Sequence, residues 1–332
     1  MAEKHNCEQI IHKILHVTGD LDTREFELLD ASQRAECVSL LFDVCEVNKR
    51  LVGRSVQVLF QMIPFLPSGR RYGVLTRAIV LFAHAEDLAG REISGMLDDA
   101  VINSLQPLEL ISFAQYFSNL MLEGDAHTKE LALWGLTRLI SRLHTVNQKE
   151  FALDVFRMSM QPRLRSVVLE ALNALIYSMD QSSRSSLIFF FAETLKRNES
   201  GEMKYFVLDL LKKVTPALPE RNRIVIADTV APLAFFSDTK LVKRSIDFFA
   251  EIISLLPAED RVHYTEIVAG LINDSAVRSE VFRAVGKALP FLPTDTDRDH
   301  FRELLRQYHA GNSGLSDHDE SSFDMAYYYY ND

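Results

Sequence analysis

The sequence has few of the residues that form loops and disulfides. Its 332 residues include only 13 glycines, 10 prolines and 3 cysteines, although 47% of the chain is apolar and 25% is charged. Apolar material is therefore sufficient for a core, and the scarcity of loop formers favours a soluble, mostly helical chain. Cys37 and Cys45 lie on one predicted helix, about 12 Å apart along its axis, which is too far for a disulfide. We therefore expect free, buried thiols.

Targeting and membrane-spanning segments are also missing. Residues 1–30 lack the basic start, the long apolar run and the small-residue cleavage site of a signal peptide. No stretch of about 18 apolar residues occurs that could span a bilayer. We therefore expect a cytoplasmic protein that does not associate with a membrane.

Catalytic motifs are absent as well. The chain contains no phosphate-binding GxxxxGK(S/T), no dinucleotide-binding GxGxxG, no GxSxG nucleophile turn and no HExxH zinc helix. Its carboxylates lie on predicted surface helices, where no two can be paired as acid and base. We therefore expect a protein that is not an enzyme and that needs no cofactor.

Two clusters resemble metal sites, and each lacks residues that such a site requires. His12 and His16 lie one helical turn apart, near His5 and Cys7, but Lys13 stands where a zinc-protease helix has glutamate.

The second cluster is the alternating Asp295, Asp297 and Asp299, which resembles the start of a calcium loop. His300 replaces the required glycine and Arg306 replaces the required glutamate. We expect no metal ion at either cluster.

The stretch NDSAVRSEVFRAVGKALPFLP, residues 273–293, contains a helix with clear start and stop signals. Asp274 lies in the preceding turn, where its carboxylate can accept hydrogen bonds from the free N–H groups of the first helical turn. Apolar residues then recur at helical spacing on one side. Pro290 and the Leu292–Pro293 pair end the helix, because proline removes a donor and disfavours helix in the residue before it.

The closing leucine of this stretch recurs along the chain in steps of 36 to 39 residues. We call these positions the marks; they are Leu29, Leu66, Leu105, Leu143, Met179, Leu218, Leu256 and Leu292. A polar residue, followed four positions later by a basic one, recurs at a fixed distance before most marks. These pairs are Asp87/Arg91, Asp125/Lys129, Gln161/Arg165, Ser200/Lys204 and Asp274/Arg278. The recurrence predicts a helical repeat protein.

The pattern resembles the HEAT family of two-helix repeats, most clearly in NDSAVRSEVFRAVGKAL, where Asp274 and the Val277–Arg278 pair match the family's pattern. The period also agrees with HEAT or armadillo-like repeats of about 40 residues. The resemblance covers residues 31–293 and implies an all-α, right-handed α-solenoid of about seven HEAT-like helical hairpins. It implies an architecture rather than a task, because such arrays serve many functions.

The predicted helices follow from the marks. First helices are expected at 32–46, 69–85, 107–122, 147–159, 182–197, 220–236 and 258–272. Second helices are expected at 49–65, 88–104, 126–143, 164–179, 202–217, 239–255 and 275–291. An N-terminal capping hairpin, residues 1–30 with helices at 8–18 and 22–29, and a C-terminal capping segment, residues 294–310 with a helix at 296–309, close the array.

The resemblance implies that second helices line the concave side, so their outward row is the candidate binding surface. When the copies are aligned on the marks, the row contains Gln57, Gln61, Met96, Ala100, Trp134, Arg138, Glu170, Ala174, Asp209, Lys213, Asp247, Glu251, Arg283 and Lys287. Trp134 lies about 200° around its helix from the core residue Leu136, so we expect it to point outward beside Met96 and Arg138 as an interface anchor. The alternative is that Trp134 packs between neighbouring second helices.

The composition changes after Ala310. Residues 311–332, GNSGLSDHDESSFDMAYYYYND, contain five acids and no Lys or Arg, which is half of the formal net charge of −10. We expect a disordered acidic tail that ends in the run Tyr327, Tyr328, Tyr329 and Tyr330. It is a solvated end, a short motif for a partner or a secretion machinery, or a segment that folds back into the array's groove.

The favoured function is a non-catalytic scaffold or adaptor, monomeric by itself, that binds a peptide or helix of a partner protein along the concave face. The row residues predicted to bind are Met96, Trp134, Arg138, Glu170, Lys213, Asp247, Arg283 and Lys287. One alternative is a HEAT-like enzyme similar to the solenoid DNA glycosylases, but residues 1–310 carry a net charge of −5, which disfavours nucleic acid. Another is a secreted effector or regulatory subunit whose acidic, Tyr-rich tail is a recognition or secretion signal.

Overall fold

The computed structural model describes Cys7, Ile11 and residues 24–85, 89–197 and 200–311. These residues form helices, turns and connecting segments, and none of them lies in a β-strand. None of the described helices combines the length and the apolar character that crossing a bilayer requires. The all-α class predicted from the sequence is thereby confirmed. The chain divides into two compact units, Met1–Leu175 (unit 1) and Ile176–Asp332 (unit 2).

The first described helix of unit 1 is short, and longer helices that pack in pairs follow it. Its helices are α1 (Arg24–Glu27), α2 (Ala31–Val47), α3 (Val52–Met62), α4 (Ser68–Ala83), α5 (Ile93–Met96), α6 (Asp99–Ser104), α7 (Pro107–Glu123), α8 (Ala126–Ile140) and α9 (Thr145–Arg157). Helix α10 (Arg165–Ser178) contains the boundary between the two units. Within unit 1, α2 packs on α3, α3 on α4, and α7 on α8.

Unit 2 repeats the hairpin arrangement with more regular helices. They are α11 (Gln181–Lys196), α12 (Gly201–Val214), α13 (Glu220–Val230), α14 (Thr239–Ile252), α15 (Ala258–Ala269), α16 (Arg278–Ala288) and α17 (Asp295–Gly311). Second helices pack on each other, α12 on α14 and α14 on α16, while α11 packs on both α12 and α13. This is the layering that a stack of helical hairpins requires.

The marks are buried residues in the connections between consecutive hairpins. Every mark is at most 7% exposed. Leu66, Leu218 and Leu292 each follow a 3₁₀ turn that contains a proline, and each has an extended backbone. Leu105 and Leu256 have the same extended conformation. The leucine therefore recurs because each repeat buries one side chain where its second helix ends.

Two of the polar residues predicted to cap second helices do so, and Asp274 does not. Asp125 and Ser200 accept hydrogen bonds from backbone N–H groups three residues later, as helix caps do. Asp274 does not cap α16. Its carboxylate accepts from the Ala276 N–H at 2.9 Å within a turn, and α16 begins only at Arg278. The prediction that Asp274 caps this helix was wrong, because its carboxylate is engaged within the turns between residues 271 and 277, ahead of the helix.

The second helix predicted at 88–104 is broken. Residues Gly90–Glu92 form a 3₁₀ turn that leads into α5, and the chain turns at Leu97 before α6 begins. The Asp98 carboxylate accepts the Val101 N–H at 2.8 Å, so it caps α6 as a new helix. The prediction of one helix was wrong because this side chain competes for backbone donors within the expected helix.

Five arginines connect consecutive repeats, and each lies five positions after a mark. They are Arg34, Arg71, Arg184, Arg223 and Arg261. Each donates through Nη1 to the carbonyl directly before the next mark, those of Phe65, Ser104, Ala217, Leu255 and Phe291 respectively. Each also donates to a carbonyl at its own mark or up to three residues before it. We call these side chains the arginine clasps; they satisfy carbonyl groups that helix ends leave unpaired.

Several predictions fall largely outside the described residues. They are the capping hairpin before residue 24, the histidines His5, His12 and His16, the turn residue Asp87, and the tail from 312 with Tyr327–Tyr330. The three cysteines are described, and all are buried and free, as predicted. Cys7 Sγ donates to the Gln33 carbonyl at 3.3 Å, and burial raises the pKa of both the Cys37 and the Cys45 thiols.

Candidate functional site

The predicted row on the second helices of unit 2 is a set of ion pairs. Lys287 on α16 contacts Glu251 on α14 at 3.0 Å. On the same helices, Arg283 pairs with Asp247. One repeat earlier, Asp209 on α12 pairs with Arg244 on α14. Five predicted row residues are therefore engaged in ion pairs with other side chains of unit 2. They are Asp209, Asp247, Glu251, Arg283 and Lys287.

More pairs continue this network toward the starts of the helices. Lys240 Nζ lies 3.4 Å from Glu202 and 4.3 Å from the centroid of the Tyr205 ring. The Tyr205 hydroxyl donates to Asp238, and this hydrogen bond holds the pKa of the Asp238 carboxyl below its usual range. Lys213, the remaining row residue of α12, is exposed.

Glu280 is the most enclosed acid of the network. Lys243 donates to it at 2.7 Å and Ser279 at 3.0 Å. Burial by itself raises the pKa of Glu280, but hydrogen bonds from Lys243, from its own backbone N–H and from Ser279 outweigh burial, so the pKa lies below its ordinary value of 4.5. Glu280 is therefore held as a carboxylate inside the fold.

The corresponding surface in unit 1 contains an open cleft of about 550 Å³. One wall is the face of α3 that carries Arg54, Gln57 and Gln61, which recur at helical spacing. The other wall is the broken second helix, and its lining residues are Arg91, Glu92, Gly95, Met96 and Asp98. Phe60 completes the lining and is 1% exposed. Three row residues, Gln57, Gln61 and Met96, thus line a single depression.

The acids that line the cleft are engaged by backbone groups. Glu92 Oε1 accepts the Ala89 N–H at 3.2 Å, and Asp98 Oδ1 accepts the Val101 N–H at 2.8 Å. Arg91 is exposed, and no described residue places a carboxylate within ion-pair distance of its guanidinium. Gln61 Oε1 is covered and accepts no hydrogen bond from the described part of the chain. Among the described residues, Arg91 therefore has no carboxylate partner, and the enclosed Gln61 oxygen has no donor.

Arg138, predicted as a binding residue, stabilises the helix break. Its Nε donates to the Leu97 carbonyl at 3.0 Å, and its Nη2 lies 2.9 Å from Asp99. Arg142, in the turn that follows α8, contacts the same carboxylate at 2.7 Å. The turn at Leu97 frees a carbonyl group from helical pairing, and Arg138 satisfies it.

Trp134 lies one turn before Arg138 on the same face of α8, and its side chain is partly exposed. The adjacent Gly135 is buried, and a Cβ atom there would collide with the Phe117 ring of α7. Helix α8 therefore lies close against α7. Glu170 and Ala174, the row residues of α10, are exposed.

Sequence reasoning missed two features of the surface. The helix break was signalled by the Asp98–Asp99 pair, since aspartate is a common N-cap. Arg91 was recognised only as the basic partner in a turn pair. Among the described residues, no three His, Cys, Asp or Glu side chains come together as a metal site.

Comparison with solved structures identifies the architecture. A crystal structure of Kap121p bound to Ste12p superposes with a TM-score of 0.67 at 9% sequence identity, covering 97% of this chain and 37% of Kap121p. The karyopherin Kap121p bound to the extreme C-terminus of the protein phosphatase Cdc14p gives a TM-score of 0.57 at 12% identity, covering 96% and 41% of the two chains. The chain has the HEAT-like helical-repeat fold.

A third structure agrees. Cex1p gives a TM-score of 0.55 at 14% identity, covering 84% of this chain and 53% of Cex1p. The HEAT-like array described here thus spans between about a third and a half of the length of these proteins. No protein-family model and no curated protein matches its sequence.

Proposed function

We propose that this HEAT-like protein is a non-catalytic scaffold that holds an extended segment of a partner protein against the second-helix row of unit 1. The observation that carries the proposal is the cleft, where Gln57, Gln61 and Met96 line one depression of about 550 Å³. In unit 2 the equivalent row is occupied by its own ion pairs. Unit 1 therefore offers side chains that a partner can bind without first breaking internal contacts.

The chemistry of the cleft suits a peptide main chain. An amide side chain both donates and accepts, so Gln57 on α3 can pair with the N–H and C=O groups of an extended segment, and Gln61, one turn later, lines the same wall. Met96 adds an apolar, adaptable contact for the segment's side chains. Trp134 remains a predicted contact of unit 1 outside the cleft.

The solved structures support a binding role for this architecture. Kap121p is held in crystals with Ste12p, with Nup53p and with the extreme C-terminus of Cdc14p. The last is a terminal segment of another protein. A HEAT-like array can thus serve as a surface for protein segments, which is the role proposed for unit 1.

The experiment compares capture of partners from the native cell by three forms of the full-length protein. They are the wild type, the cleft variant Gln57→Ala/Gln61→Ala/Met96→Ala, and the control variant Asp247→Ala/Glu251→Ala/Arg283→Ala. We expect the cleft variant to lose roughly tenfold or more of the captured partner, which corresponds to about 1.4 kcal/mol. The control variant retains it.

Equal capture by the wild type and a folded cleft variant would contradict the proposal. Thermal unfolding of all three forms verifies that the cleft variant is folded. The same proteins are titrated with duplex DNA. Tight binding with a steep dependence on salt would instead favour the HEAT-like glycosylase hypothesis.

A further inference from the structure

We propose that the cleft of unit 1 recognises a carboxylate side chain, so that the segment it holds is acidic. The inference rests on the proposed function and specifies the chemistry of the partner. It follows from the charges of the lining residues, from the fixed position of Arg91 and from the groups that surround it.

The charges of the cleft are not equally available. Formally, Arg54 and Arg91 balance Glu92 and Asp98. Each of the two acids, however, accepts a backbone N–H at a helix start, at 3.2 Å from Ala89 and 2.8 Å from Val101. Such hydrogen bonds and the helix dipole hold each carboxylate in its position at the helix start. Arg91 has no carboxylate partner among the described residues, so it is the charge that a ligand meets.

The turn that carries Arg91 is held in place. Gly90, the preceding residue, is buried against the start of α8, and a Cβ atom there would lie 2.8 Å from the Leu131 backbone nitrogen. Only glycine allows this approach of backbone to backbone. The guanidinium therefore projects from a fixed turn, which reduces the ordering cost of binding.

A carboxylate is the anion that this arrangement fits best. Arginine presents a planar fork that binds a carboxylate through two parallel hydrogen bonds. Gln57 opposite can bind the peptide main chain beside that residue. Met96 provides apolar contact. A carboxylate carried by a peptide can engage Arg91 and the Gln57 amide together, whereas a nucleic-acid phosphate brings no peptide main chain for that amide.

The test uses a cellulose-bound array of nonapeptides in which four positions are Asp or Glu and the others vary. A matched array replaces every Asp by Asn and every Glu by Gln. Full-length protein, Arg91→Gln and the control Arg70→Gln are applied to both. Arg70 is exposed on the first helix α4, so its substitution removes the same charge away from the cleft.

We expect the acidic array to retain the wild type and Arg70→Gln, and Arg91→Gln to bind roughly tenfold more weakly. Retention on the amide array equal to that on the acidic array, equal loss in the two arginine variants, or no retention at all would overturn the inference. Duplex DNA that binds the wild type but not Arg91→Gln would move the assignment to phosphate and would also overturn it.

The cleft variant Gln57→Ala/Gln61→Ala/Met96→Ala separates this inference from the proposed function. If both arrays retain the wild type equally and neither retains the cleft variant, unit 1 holds peptides without selecting carboxylates. If the cleft variant is retained as well as the wild type, the proposed function fails together with the inference.

Discussion

The same row of the repeat has different contacts in the two units. In unit 2, row residues on α14 and α16 pair across a spacing of 36 residues, so each charge is neutralised by the next repeat. In unit 1, the row on α3 and α5 consists of amides and a thioether beside a cleft. A row of charges on a repeat surface is thus not by itself a binding site. Its side chains must also be free of each other.

The break between α5 and α6 explains part of this difference. Continuous second helices bring equivalent positions of adjacent repeats side by side, which is why the pairs of unit 2 recur at almost the repeat period. At Leu97 the helix stops, and Arg138 bonds to the carbonyl that is freed instead of pairing along the row. The interruption leaves a depression beside α3.

The arginine clasps differ between the units as well. Unit 2 has them at Arg184, Arg223 and Arg261. In unit 1 the equivalent positions after the third and fourth marks are Leu110 and Gln148. Gln148 donates to the Leu143 carbonyl at 3.0 Å, and its Oε1 is buried without a described partner. Two consecutive repeats of unit 1 therefore lack the arginine hydrogen bonds that connect consecutive repeats in unit 2.

The largest expected effect is on the clasps. Arg223→Ala should lower the free energy of unfolding of unit 2 by about 3 kcal/mol, because it removes charge-assisted hydrogen bonds to the Leu255 and Pro216 carbonyls and leaves both unpaired. Hydrogen exchange of α13 to α16 during urea unfolding measures the loss. Arg221→Ala is the matched control, since Arg221 is exposed two residues earlier. Equal effects of the two substitutions would show that the clasp contributes nothing.

The next effect concerns unit 1. Trp134→Ala should weaken partner binding by about 2 kcal/mol and change the unfolding free energy by much less, because a partly exposed tryptophan buries most of its surface only against a partner. Isothermal titration with the captured partner and thermal unfolding measure the two quantities. Phe235→Ala is the control, an aromatic side chain in unit 2 that is 66% exposed. A loss of stability as large as the loss of binding would place Trp134 in the packing between second helices.

The ion-pair row of unit 2 should matter less. Asp247→Ala/Arg283→Ala should cost below about 1 kcal/mol of stability and leave partner binding unchanged, because partly exposed pairs contribute little. A double-mutant cycle by urea unfolding gives the coupling energy, and the capture experiment gives the binding. Loss of the partner would mean that the row of unit 2 binds after all, and the comparison between the units would fail.

The smallest effect depends on pH. Since the folded pKa of Glu280 lies below its ordinary value of 4.5, its contribution to stability is complete above that value and is lost as the pH falls through the lower folded pKa. Glu280→Gln should therefore make the stability of unit 2 less sensitive to acid below about pH 4.5. The urea midpoint measured from neutral pH to about pH 3 tests this. A wild-type acid dependence that the substitution leaves unchanged would contradict it.

Some features of the repeats could be predicted from the sequence and others could not. The marks were predictable because one buried leucine per repeat leaves a periodic trace, and the caps Asp125 and Ser200 were predictable because capping is local. The role of Asp274 was not, since its carboxylate accepts the Ala276 N–H inside a turn and α16 begins only at Arg278. The clasps could have been found, because aligning the copies on the marks places five arginines in one column.

The sequence by itself determined the helical class, the repeat period and the residues that a second-helix row would contain, because each depends on spacing along one chain. Only the tertiary structure decided which of those residues are available. Whether Arg283 meets Asp247 and whether Arg138 donates to a freed carbonyl depend on atoms 36 or more residues apart. Contacts between residues so far apart in the sequence depend on how the helices pack, which a local sequence pattern does not predict.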